Sequence, residues 1–306
     1  MIHHVFACKS NIGDWLSAKA IQSLVKPELI TEYLCDDPFV PGTLRRLTQV
    51  TPEDLIVIGG GGLFMDYFMP FWQGFAGMAD RLRFGIWGAG YCDEKQKSSL
   101  PSNPLLGEIA AKSAFCSVRD TLTIDYLQLE RASPVPCPSM ALIHLPAAAG
   151  CGLLHVIHYD LVGAEAYEFA HVHAGAYAHK TGRPYRQIDN QIEDGSDAAL
   201  DRVLAAYAAA DLVVTSRLHG CIIGLAMGKK VLAVSGDHKI DAFMKLAGLE
   251  DWVCLPEDRD RFVERLHCLH EQVFPADFVT RARSENLKLA GVVKGLVHAP
   301  AREALA

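Results

Sequence analysis

Side chains able to carry charge and move protons gather at a few points in this 306-residue sequence. The densest point is Val213-Val214-Thr215-Ser216-Arg217-Leu218-His219-Gly220. An apolar run delivers Ser216, Arg217, Leu218, His219 and Gly220 in succession, just where a helical pattern begins. Arg217 supplies fixed positive charge, and His219 can hold or release a proton near neutral pH. A helix N-terminus at the same place adds a dipole that favours anions. Four polar or special residues at one strand end are not a core pattern. The next apolar run ends in Ser235-Gly236-Asp237-His238-Lys239, so Lys239 is expected beside Arg217. Two cations and a helix terminus then converge on one anion.

Three other segments carry weaker signals. Asn11-Ile12-Gly13-Asp14 follows the first apolar run. Asp14 could orient a hydroxyl or act as a base; equally, Asn11 or Asp14 could simply cap the next helix. Gly59-Gly60-Gly61-Gly62 lets the backbone approach a ligand and turn its N–H groups toward an anion or a sugar hydroxyl. It could also be no more than a tight strand-to-helix turn. Its spacing matches neither the dinucleotide fingerprint nor the phosphate loop. In Ser117-Val118-Arg119-Asp120, Arg119 can grip a carboxylate or phosphate, or merely pair with Asp120. His171 and His173 do not share a helical face, so they and His179 read as structural and no metal site is expected. The aromatic segment Tyr67-Phe68-Met69-Pro70-Phe71-Trp72 could form a sugar-stacking wall beside the glycine run, but reads better as the hydrophobic seam between the domains.

The elements that must position these residues alternate between short apolar strands and helical patterns. Strands are expected at 2–8, 29–35, 54–58, 83–87 and 113–118, with helices at 15–25 and 120–128. Residues 133–152 are dense in Pro, Ala and Gly and read as the crossover between two domains. Strands resume at 153–159, 184–189, 211–215 and 230–235. Helices are expected at 164–180, 197–210, from about 218, at 240–247 and from 260 onward. Continuous apolar strands alternating with helices make a parallel sheet covered on both faces. The α/β reading is therefore two Rossmann-like domains, 1–150 and 151–306, facing a cleft. Ligands in such sheets sit beyond the carboxyl ends of the strands.

Composition narrows the function classes. Half of the residues are hydrophobic and 21% are charged, a globular balance. The net charge of −7, with no Lys/Arg-rich block, argues against a nucleic-acid partner. No apolar stretch reaches the ~18–20 residues of a membrane helix. Residues 1–8 lack the basic segment and long apolar core of a signal peptide, so none is expected. Nine cysteines without a Cys-x-x-Cys pair suit reduced thiols in a cytoplasmic protein better than disulfides or zinc.

Taken in order, these segments resemble the polysaccharide pyruvyl transferases over most of the chain. Ser216-Arg217-Leu218-His219-Gly220 with its preceding strand is the specific motif. The Asn11–Asp14 loop, the strand with its glycine run, Ser117-Val118-Arg119-Asp120 and Asp237-His238-Lys239-Ile240 look like the family's other motifs. His158 resembles a histidine that members carry after the first strand of the second domain. Where many members have Asp-Pro-Ala, this chain has Cys137-Pro138-Ser139-Met140-Ala141. It is also short for the family, so trimmed acceptor loops are expected.

The resemblance implies a two-domain, GT-B-like glycosyltransferase fold and transfer of pyruvate from phosphoenolpyruvate to sugar hydroxyls as a ketal. Phosphoenolpyruvate is then a co-substrate, and no cofactor or metal is needed. Ser216, Arg217, Leu218, Gly220, Lys239 and Arg119 are the expected donor contacts, all but Arg119 on the second domain. His219, with His158 behind it, is the expected proton donor or donor-site ligand. Asp14 is a candidate to hold or deprotonate the acceptor, and Asn11, Gly13, Gly60, Gly61 and Gly62 are candidates for its loop. The expected partner is a glycan, free or lipid-linked, met in the cytoplasm or at the inner face of the membrane. Two other classes fit the same residues. One is a nucleotide-sugar glycosyltransferase of exopolysaccharide or capsule synthesis, with Arg217 and Lys239 on a diphosphate. The other is a non-catalytic sugar-binding or assembly protein.

Overall fold

The computed structural model describes residues 1–92, 103–146, 149–192 and 195–299. Two parallel sheets stand with their cores sharing one boundary. The first has six strands, β1 (Ile2–Phe6), β2 (Ile30–Leu34), β3 (Leu55–Phe64), β4 (Phe84–Tyr91), β5 (Cys116–Val118) and β6 (Ser133–Pro134). Their spatial order is β2-β1-β3-β4-β5-β6. The second has five, β7 (Gly152–Val156), β8 (Tyr185–Ile188), β9 (Ala210–Thr215), β10 (Lys230–Val234) and β11 (Val253–Cys254). Their order is β11-β10-β9-β7-β8. Every residue of β1, β4 and β7 is buried, because helices cover both faces of the sheets.

The reversal of strand order around β1 and around β7 creates a switch point in each sheet, and the loops after these strands face each other. The helix Ile12–Val25 leaves β1, and the helix Leu218–Ala226 leaves β9. One hydrophobic cluster joins the units: Phe6, Trp15 and Leu16 pack with Leu154, Leu218 and Ile222. Short pairings tie the loops as well. Ile12 N–H donates to Asn190 O at 3.1 Å, and Ile192 N–H to Ser10 O at 2.7 Å.

The last helix, Ala276–His298, starts on the second unit and ends on the first. Phe278, Val279 and Ala282 join the shared cluster, whereas Ala290 and Val293 pack on Ile2, Ile21 and Trp87. Asn286 accepts from Trp87 Nε1 at 3.0 Å and donates to Pro136 O at 2.9 Å. The expected 151–306 span therefore contains a helix whose far half covers the first sheet.

Several elements differ from the sequence reading. β3 does not stop at residue 58; it runs through all four glycines to Phe64, with a register shift against β4 between Gly61 and Phe64. β4 likewise continues through Gly88 and Gly90. The helices Val40–Leu47 and Pro104–Lys112 were not anticipated, nor was the small strand β11. The 133–152 crossover holds β6 and the short helix Ser139–Leu142. The aromatic segment is not a seam between the domains: Phe71 and Trp72 are fully buried in the first unit's own core, while Tyr67 is 53% exposed. Among the described residues no helix is long and apolar enough to cross a membrane.

Candidate active site

A cavity of about 440 Å³ opens where the carboxyl ends of the two sheets meet. Asn11, Asp14, Gly62, Arg119, His158, Arg217, Leu218, His219 and Lys239 all line it. The structure thus gathers segments that the sequence keeps more than 200 residues apart. Ser216, Gly13, Gly60, Gly61 and Gly220 stand behind the wall instead. Ser216 Oγ accepts from His158 N–H at 2.7 Å, fixing that loop. A β-carbon on Gly220 would strike Thr215 Oγ1 at 1.9 Å, so this glycine lets the helix start tight on β9.

Three cations line one cavity. Arg217 Nε donates to Ile157 O at 2.5 Å, which aims the guanidinium from the end of β9. Lys239 Nζ lies 3.0 Å from Asp237 Oδ2 and donates to Cys92 Sγ at 2.9 Å. Asp237 also caps its helix through Ile240 N–H. Burial works against the Lys239 ammonium, but Asp237 and Cys92 outweigh it and hold the pKa above its usual value. Arg119 donates to Tyr91 O at 2.8 Å and sits 3.4 Å from Asp120, itself the cap of the following helix. Arg119 lines the cavity, and its pairing with Asp120 anchors it there.

Asp14, in the first turn of the helix after β1, faces these cations. Asn11 is the actual cap, its Oδ1 accepting from Gly13 N–H at 2.8 Å, which leaves Asp14 available to the cavity. Burial pushes the Asp14 carboxyl up to about 6, against the pull of Arg119, Cys8 and Lys239. Gly60 and Gly61 explain its position. They hold φ of +82° and +91°, and a β-carbon on Gly61 would lie 1.9 Å from Asp14 Oδ1. The glycine run serves as a bulged strand against which the Asp14 helix is seated. Gly61→Ala is accordingly expected to cost about 1–3 kcal/mol through backbone strain and clash. Gly42, inside the helix Val40–Leu47 with nothing within 4 Å of its β-carbon position, supplies the control, and Gly42→Ala should hold the melting temperature or raise it slightly. Equal melting of the two variants would mean that Asp14 is not held against Gly61.

His219 packs on Gly13, where a β-carbon would come within 2.3 Å of Nδ1. Its Nε2 lies 3.4 Å from Ser17 Oγ and 3.6 Å from Cys137 Sγ. Ser17 in turn lies 3.0 Å from Ser139 Oγ, closing a buried polar cluster. Burial, together with Arg119, Lys239 and Arg217, pushes the imidazole down to about 3. The surrounding protein therefore favours the neutral form of His219 at pH 7. An anion bound among the same three cations would offset them and raise that pKa.

Burial also lowers His4 and His155 to about 4. The ordinary histidine value of 6.5 applies to the unfolded chain. Between about pH 6.5 and 4 the unfolded state therefore binds protons at His4, His155 and His219 that the folded state refuses. Stability is fully present above pH 6.5 and falls on acidification, by about 1.4 kcal/mol per pH unit for each proton. Asp14 works in the opposite sense but is one group against three. Thermal melts should drop steadily from pH 7 to pH 5; a melting temperature that rises over this range would contradict the neutral state of these three histidines.

Sequence reasoning missed Asp36, Cys92 and Asn190, which line the cavity, and Ser17, Cys137 and Ser139 beneath His219. The first three each follow a strand directly or by one residue, so the strand-end rule could have found them. Ser17 and Cys137 carry no such signal, being 120 residues apart. Among the described residues no three His, Cys, Asp or Glu side chains are grouped to hold a metal ion.

A sequence model of the family described as polysaccharide pyruvyl transferase matches residues 8–238. No curated protein matches. Among solved structures, a UDP-GlcNAc 2-epimerase from Methanocaldococcus jannaschii, in complex with UDP-GlcNAc and UDP, is similar at a TM-score of 0.58 and 7% identity. The match covers 96% of this chain and 99% of that one. The Neisseria meningitidis UDP-GlcNAc 2-epimerase gives 0.58 at 10% identity, over 97% and 100% of the two chains. A pneumococcal O-GlcNAc transferase gives 0.51 at 9% identity, over 85% of this chain and 60% of that one. At these identities the likeness is one of fold, and that fold is the GT-B-like pairing of two parallel-sheet α/β domains.

Proposed function

The chain belongs to the polysaccharide pyruvyl transferase family, and from that premise we propose that it moves pyruvate from phosphoenolpyruvate onto two hydroxyls of a glycan, forming a ketal. The observation that supports this most is the set of Arg119, Arg217 and Lys239 on one cavity, opposite a carboxyl whose pKa lies near 6. Phosphoenolpyruvate carries a carboxylate and a phosphate on the same carbon, C2. Such a ligand needs several donors at fixed spacing, which two guanidinium groups and an ammonium supply. The second unit, with Ser216 to Gly220 and Lys239, is on this reading the donor side. The first, with Asn11, Gly13, Asp14 and Gly60 to Gly62, is the acceptor side.

The chemistry divides between two groups. The acceptor hydroxyl attacks C2 while a proton is delivered to the methylene carbon, C3. Asp14, mostly ionised at pH 7, takes the hydroxyl proton. His219 delivers the proton to C3, once the bound trianion has raised its pKa; His158, on the same cavity wall, is the second candidate for that step. The C2–O bond to phosphate then breaks, and inorganic phosphate leaves. A second hydroxyl of the acceptor adds to C2, gives its proton to the phosphate still in the site and closes the ketal. The three cations oppose the charge of donor and departing phosphate alike, so they act without reorganising. A lipid-linked acceptor would bring the enzyme to the inner face of the membrane.

Ligand stabilisation separates this reading from a nucleotide-sugar transferase. Phosphoenolpyruvate at ~100 times its Kd should stabilise the protein by about 2.7 kcal/mol. A protein stabilised only by nucleotide sugars would defeat the proposal.

A further inference from the structure

The strand orders give the cavity two chemically different ends. Arg119 and Cys92 follow β5 and β4, and Lys239 follows β10, so the cationic end lies on that side of both sheets. At the other side Asp36 follows β2, the edge strand, and Asn190 follows β8, also an edge strand. The loops meet there, with Asn11 and Gln191 paired across the two units. Tyr67, which comes after β3, leans to this end because its hydroxyl donates to Asp36 Oδ1. A three-carbon phosphate held at the cations leaves this second end of the 440 Å³ cavity to another ligand.

Two observations say what that ligand is. Tyr67 lines the cavity with 53% of its surface open, its ring set edge-on against Phe68 at 5.0 Å between centroids. Phe68 is 8% exposed, so the platform is held from behind. Asn190 is 1% exposed, lies in the left-handed region at φ +62°, and has its Oδ1 fixed by Tyr207 Oη at 2.9 Å. Its Nδ2 has no hydrogen-bond partner among the described residues. A buried donor left unpaired costs about 1–3 kcal/mol, a cost that a ligand oxygen reaching Nδ2 from the cavity side would recover.

We propose that Tyr67, Asp36 and Asn190 form the acceptor subsite and that it takes an uncharged pyranose ring. This rests on the pyruvyl-transfer reading for the identity of the second ligand. A sugar hydroxyl both accepts and donates, matching the Asn190 amide and the Asp36 carboxylate, while the C–H face of a pyranose lies on the Tyr67 ring. Asp14 and Asp36 stand on the same cavity, and their like charge opposes a uronate or a phosphate at this end.

Saturation-transfer NMR on the full chain tests it, with the methyl β-glycosides of glucose, galactose and mannose and with methyl β-glucuronide, each with and without phosphoenolpyruvate. At least one neutral glycoside should bind, with the glucuronide at least tenfold weaker. Tyr67→Ala, at an exposed position, and Asn190→Asp, which keeps the oxygen that Tyr207 needs, should each weaken the neutral glycoside about tenfold. Neither should change stabilisation by phosphoenolpyruvate. The subsite is overturned if no neutral glycoside binds, if the glucuronide binds as well, or if both variants bind normally. Glycoside binding that passes while phosphoenolpyruvate fails to stabilise the wild type supports the subsite and defeats only the donor reading.

Discussion

In the Arg217→Ala variant, phosphoenolpyruvate is expected to lose nearly all of its stabilising effect. The guanidinium leaves the end of β9 with its Nε held by Ile157 O at 2.5 Å, so it arrives at the cavity already oriented. Removing one partner of a buried, charge-assisted hydrogen bond costs about 2–5 kcal/mol, or at least a hundredfold in donor affinity at a loss near 3 kcal/mol. A ligand at ~100 times the wild-type Kd would then sit near the variant's Kd. Its stabilisation would fall from about 2.7 to about 0.4 kcal/mol, a change of several degrees in melting temperature. Each variant is compared with its own ligand-free melt, because Arg217 also braces the 157–158 loop. Arg217→Lys should lie between the two, since it keeps charge but not the fork. A full shift retained in Arg217→Ala would place the donor elsewhere.

Asp14→Asn should do the reverse, keeping donor binding and losing turnover. The amide is nearly isosteric with the carboxyl, and so should keep its seat against Gly61. It cannot take a proton from a hydroxyl, and losing a positioned base costs about 10²–10⁴ in rate. The carboxyl's own pKa near 6 comes first from burial, so the neutral amide should not destabilise the fold. The sign of the pH dependence follows. If Asp14 is the base, it should be ionised and active above about pH 6 and lose that role as pH falls through it, and a bound anion should move the limb upward. The wild type should show this acid limb in kcat, and Asp14→Asn should have a low rate without it. An unchanged rate would assign proton removal to another group.

Much of the fold was legible because parallel strands buried on both faces leave unbroken apolar runs. β1, β7, β9 and β10 announce themselves in this way, and the helix 164–180 is found at its observed bounds. The strand-end rule then picked out Arg119, Arg217, His219 and Lys239 before anything placed them in one cavity. What failed did so for physical reasons. Glycines normally end strands, yet β3 continues through four of them, since Gly59 lies so close to β4 that a β-carbon would meet Trp87 O at 1.9 Å. The return of the last helix to the first sheet depends on Asn286 reaching Trp87, a contact that no local pattern encodes. Composition could not tell Tyr67 from its buried neighbours Phe71 and Trp72. Nor could residue type reveal that His219 would be neutral, because its pKa is set by burial and by three cations drawn from distant segments.

The central claim is that the cavity converts phosphoenolpyruvate, and phosphorus NMR tests it directly. The protein is incubated with phosphoenolpyruvate, UDP-GlcNAc and a mixed pool of bacterial glycans, and the same sample is followed by proton NMR. Phosphoenolpyruvate should decay to inorganic phosphate only when glycan is present, with one new ketal methyl group for each phosphate released and the UDP-GlcNAc left intact. Phosphoenolpyruvate left untouched while UDP is released from the nucleotide sugar would contradict it.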